Sequence, residues 1–67
     1  MSAPDQAELL TLRTQVEDLT TRVTAIATKY DSTPDSAVAA DLYAAERSLV
    51  TTRRSLDRAR NHLAESD

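Results

Sequence analysis

Residues 9–30 run LLTLRTQVEDLTTRVTAIATKY. Within this stretch Leu9, Leu12, Val16, Leu19, Val23, Ile26 and Tyr30 recur at alternating spacings of three and four. Such spacing is the a/d seam of a heptad repeat, which keeps one stripe of a helix turned toward a partner helix. The second half of the chain offers a matching stripe in Val38, Leu42, Ala45, Leu49, Thr52, Leu56, Ala59 and Leu63. The fold class implied is all-α: an antiparallel, coiled-coil-like two-helix hairpin occupying residues 1–67 as a single domain.

Working outward, the start Ser2-Ala3-Pro4-Asp5 carries helix-initiating signals. Ser2 can cap, Pro4 fits the first turn, where its missing N–H costs nothing, and Asp5 complements the positive end of the helix dipole. No Gly or Pro interrupts the chain again until Pro34. Asp31-Ser32-Thr33 compete for backbone hydrogen bonds, and Pro34 disfavours a helical Thr33, so the first helix should span about 4–30 and the turn 31–33. Ser32-Thr33-Pro34-Asp35 then repeats the opening tetrapeptide almost letter for letter. A second helix over about 34–64 follows, its last turns rich in Arg, with the tail after it expected to fray.

A connection this short makes the helices antiparallel neighbours. Pairing residues whose numbers add to 68 sets Leu12 against Leu56, Leu19 against Leu49 and Ile26 against Leu42, with large facing small in alternate layers. A register of 61 would gain the pairs Arg22–Asp41 and Arg13–Glu46 but strand Leu56 and Leu63. Burying a Leu is worth roughly 1.5–3 kcal/mol and an exposed ion pair about 0–1, so 68 is expected.

Composition limits function. Sixty-seven residues place a lone hairpin near the lower bound of independent stability, so self-association or a partner is expected. With no Cys, neither a disulfide framework nor a thiolate metal site is available. No apolar run approaches the ~20 residues of a membrane span, and the start lacks the basic and apolar regions of a signal peptide. The expectation is therefore a cytoplasmic protein without a membrane partner. Lys plus Arg number 8 against 11 Asp plus Glu, a net charge of -3, which gives no general attraction for nucleic acid.

Chemistry-bearing residues are sparse. His62 is the only histidine, and Glu17, Asp18 and Asp41 fall on outer or flanking heptad positions rather than in a cleft. The run from Leu9 to Val16, followed by Leu19 and Val23, resembles the first helix of all-α chorismate mutases, whose Leu-x-x-Leu-Arg-x-x-Ile pattern carries a substrate-binding Arg. The matching residue is Arg13. Thr20 and Tyr30 stand where that family carries an Asp and a second functional Arg, and the chain is too short for the family's third helix. No catalytic activity, cofactor or metal is expected.

The expectation for function is a small interaction or oligomerisation module, pairing with itself and with another protein. Leu10, Ala39, Ala40, Tyr43, Ala44 and Val50 form an apolar strip outside the seam, expected to join two hairpins into a four-helix bundle. The alternative is a hairpin dimer resembling the RNA-binding protein Rop, contacting structured RNA through Arg13, Arg53 and Arg60. The absence of Phe and Trp for base stacking and the net negative charge weigh against nucleic acid.

Overall fold

The computed structural model describes residues 3–66. Helix α1 spans Ala3–Tyr30 and helix α2 spans Ser36–Ser66. They pack side by side into a rod about 53 × 14 × 9 Å. Ser2, expected as a cap, and Asp67 lie outside the described residues. Asp5 in the first turn of α1 and Lys29 in its last both complement the helix dipole. Glu65 and Ser66 remain helical where fraying was expected, and the Ser66 hydroxyl donates to the Leu63 carbonyl at 3.0 Å.

Six threonines in α1 depress its intrinsic helix propensity. Their hydroxyls turn back on the helix: Thr14 donates to the Leu10 carbonyl at 3.0 Å, Thr20 to Val16 at 2.8 Å, Thr21 to Glu17 at 3.2 Å and Thr28 to Ala25 at 2.9 Å. In this rotamer the hydroxyl is satisfied without breaking the helical ladder.

Residues 31–35 make the turn. Asp31 N–H still donates to the Ala27 carbonyl at 3.1 Å, and Ser32 then takes a left-handed φ of 59°, which stops α1. Thr33 locks the corner. Its hydroxyl donates to the Tyr30 carbonyl at 2.6 Å and accepts from Asp35 N–H at 3.2 Å. Ser36 N–H donates to the Thr33 carbonyl and Val38 N–H to the Asp35 carbonyl, at 3.1 and 2.9 Å. Pro34 and Asp35 thus belong to the turn, and α2 starts two residues after the expected position.

The helices are antiparallel, but their rotation differs from expectation. Arg13 bonds Asp57 and Thr24 bonds Glu46 across the hairpin, side-chain contacts within reach of the expected pairing. Ala27 and Ala39 are the two fully buried apolar residues among those described. The contact line therefore runs along Arg13, Thr20 and Ala27 of α1 and Ala39, Glu46, Arg53 and Arg60 of α2. Leu9, Val16 and Val23 flank it half-buried, as do Leu42, Leu49, Leu56 and Leu63. Leu12, Leu19, Ile26, Tyr30, Val38 and Thr52, assigned to the seam by the heptad reading, are exposed. Small side chains on the line let the backbones approach closely next to a five-residue turn, which turns the bulky row away from the partner helix.

Candidate interaction surface

Two unlike flanks border the contact line. On one flank lie Glu17 and Thr24 of α1 with Tyr43, Val50 and Asp57 of α2, and the polar contacts between the helices gather there. Arg13 Nε donates to Asp57 Oδ1 at 2.9 Å, while its terminal nitrogen pairs with Glu17 one turn along. Arg60 Nη1 approaches the same Asp57 oxygen to 4.0 Å. One carboxylate thus sits between two guanidiniums contributed by different helices. The single proton of the Thr24 hydroxyl is shared between two acceptors, the Glu46 carboxylate and the Thr20 carbonyl, the latter at 2.9 Å. Nearer the turn, Tyr43 O–H donates to Asp31 Oδ2 at 3.4 Å. Partial desolvation, then the charge and hydrogen bond of Asp31, then the charge of Glu46, raise the Tyr43 phenol above its usual 10.0.

The other flank is apolar and open. Beyond the half-buried Leu and Val residues, α1 presents Leu12, Leu19 and Ile26 to solvent, at 37 %, 44 % and 45 % exposure. Helix α2 continues the same side with Val38, Ala45, Thr52 and Ala59. These residues repeat every seven positions, so on each helix they form a row parallel to the rod axis. The chain exposes 4790 Å², whereas a compact folded chain of 7.4 kDa exposes about 4,200 Å². Among the described residues no side chain larger than Ala is fully buried.

The strip expected to form an interface is divided by the structure. Ala39 is buried within the hairpin, Tyr43 and Val50 are half-buried on the polar flank, and Leu10, Ala40 and Ala44 are exposed. Leu10 shares a heptad row with Glu17 and Thr24 and so lies on the polar flank, away from Leu19. Of the three arginines considered for nucleic acid, Arg13 and Arg60 are engaged with Asp57. The Nε atoms of Arg53 and Arg60 are shielded and without a hydrogen-bond partner among the described residues. Arg58, further round α2, donates to Ser55 at 2.9 Å.

Among the described residues no three His, Asp or Glu side chains are grouped so as to hold a metal ion, and no helix is long and apolar enough to cross a membrane. His62 lies 3.9 Å from Glu65 on its own helix, away from the polar flank. Shallow depressions occur beside Thr14, Gln15, Asp18, Leu19 and Arg22, and beside Ala44, Arg47, Ser48 and Thr51. Neither sets a nucleophile next to a base. Asp57 and Thr24 are absent from the inter-helix pairs expected from the sequence, and Glu46 enters there only as a partner of Arg13. For Thr24 and Glu46 the available signal was period: Glu17 and Asp31 stand one heptad from Thr24 and Arg53 one heptad from Glu46, whereas Asp57 has Val50 and Ala64 at that spacing and carries no such signal. In comparisons with family models, curated proteins and solved structures, the chain matches none.

Proposed function

We propose that this chain is a non-catalytic, self-associating helical hairpin: an oligomerisation or protein–protein interaction module in which two copies close their open apolar flanks into a four-helix bundle. The observation that carries this reading is the continuous exposed row of Leu12, Leu19 and Ile26 beside a hairpin that, among the described residues, fully buries nothing larger than Ala. A face 53 Å long and 14 Å wide, once covered, removes about 700 Å² per chain from water. Standard interfaces bury about 800 Å² per partner. The leucines that flank the contact line then become central, each touching one helix of its own chain and one of the second copy. The engagement of Arg13 and Arg60 with Asp57 favours protein over nucleic acid as partner. The interface proposed differs from the strip around Tyr43 and Val50.

Sedimentation equilibrium at tens of micromolar chain tests the reading. The expected mass is twice 7.4 kDa. Leu19→Glu should reduce it to a single chain, while Leu10→Glu, on the opposite flank, should leave the dimer intact. A wild-type mass of one chain, with unfolding independent of concentration, refutes the proposal. A dimer that survives Leu19→Glu and is lost in Leu10→Glu refutes the face.

A further inference from the structure

Resting on the dimer reading above, we infer that the second copy stacks with its turn at the same end of the bundle, so that α1 of each chain lies along α2 of the other. Two twofold arrangements can close the open face of a rod-shaped hairpin. With the axis along the rod, both turns fall at one end and each α1 covers a partner α2. With the axis across the rod, the turns fall at opposite ends, and each helix covers its own copy.

Side-chain volume separates the two. The exposed row of α1 is uniformly large: Leu12, Leu19 and Ile26. The corresponding row of α2 is small through Ala45, Thr52 and Ala59, with the larger Val38 only at the turn end, beyond the level of Ile26. The Arg13–Asp57 and Thr24–Glu46 contacts across the hairpin set Leu12 near the height of Ala59, Leu19 near Thr52 and Ile26 near Ala45. Same-end stacking therefore sets large against small in all three layers, on both sides of the twofold axis. Opposite-end stacking sets the large row against itself on one side and the small row against itself on the other. The first side is then overfilled and the second left with voids, whereas packed interiors hold a uniform density. Edge charges do not choose between the arrangements. Same-end stacking brings Lys29 beside Asp41 of the second copy, and opposite-end stacking brings Lys29 beside Glu8, both attractive.

The chain has no Cys, so a single spin label can be placed without altering any native thiol. Asp35→Cys in the exposed turn and, separately, His62→Cys near the far end provide two sites on surfaces that hold no part of the proposed interface. Each labelled protein is checked by sedimentation, and the label-to-label distance is then measured by pulsed dipolar spectroscopy. Helices packed 8–10 Å apart place both pairs of labels within about 25 Å in the same-end arrangement. A separation of about 50 Å at Asp35→Cys, comparable to the 53 Å rod, overturns this inference and leaves the dimer standing. No dipolar coupling together with a single-chain mass overturns the dimer itself.

Discussion

Asp57 is the residue whose replacement tests the hairpin most directly. Its Oδ1 accepts from Arg13 Nε at 2.9 Å and lies 4.0 Å from Arg60, and the Arg13 and Asp57 side chains are 31 % and 35 % exposed. A charge-assisted hydrogen bond contributes about 1.5–3 kcal/mol when shielded, and a fully exposed ion pair about 0–1. A site one third exposed falls between these limits, so Asp57→Asn should cost about 1–1.5 kcal/mol. Asn keeps the volume and can still accept one bond, but it leaves the Arg13 and Arg60 guanidiniums facing each other without the charge that separated them. In a double-mutant cycle of Arg13→Gln with Asp57→Asn, the coupling should be about 1 kcal/mol. It should also weaken as salt is raised, because the pair is only partly shielded. Urea unfolding gives the numbers, at one fixed chain concentration because an assembling protein gains stability by mass action. Coupling below about 0.3 kcal/mol, the scatter expected of independent sites, would refute the Arg13–Asp57 contact described here.

Two further substitutions follow from the turn and its neighbour. Ser32 holds a left-handed φ of 59°, where a side chain is strained and Gly is not, so Ser32→Gly should stabilise the hairpin by about 0.5–1 kcal/mol in thermal unfolding followed by circular dichroism; destabilisation would show that the Ser32 side chain holds the corner. The Tyr43 phenol is raised chiefly by desolvation, so the folded state holds its proton more tightly than the unfolded chain. This contribution is complete below the unfolded value near 10 and is lost as pH climbs through the higher folded value. Tyr43→Phe should remove that part of the alkaline loss of stability, and in a Tyr30→Phe background the phenolate absorbance should rise above pH 10; a transition at or below 10 would contradict it.

Much of this fold is legible in the sequence because it is written in local chemistry. Pro34 and the Asp31-Ser32-Thr33 run announce the corner, and the uninterrupted stretches on either side announce two long helices. The start of α2 is less legible. Thr33 caps a turn that includes Pro34 and Asp35 before the helix proper begins at Ser36, and such an entry carries the same letters as a direct helix start. The rotation of the helices is harder still. A heptad pattern tells which residues are apolar, not how many neighbours share them. Leu9, Val16 and Val23 belong to two adjacent stripes at once, one completed by Leu12, Leu19 and Ile26 and the other by Thr20 and Ala27. Taken as a single seam, the more apolar stripe is the obvious choice, yet the hairpin closes on the other.

The back-bonded threonines have a consequence for hydration. A solvent-facing hydroxyl normally carries water that must be stripped before another surface can settle on it, and a stranded donor then costs about 1–3 kcal/mol. Along the outer row of α1 the Thr14, Thr21 and Thr28 hydroxyls already donate to carbonyls of their own helix. What they turn outward is largely methyl, in the stiff rotamer of a β-branched side chain. A ridge that looks polar by composition therefore resembles valine in what it demands of the surrounding water, and it can be dried without leaving a donor unpaired.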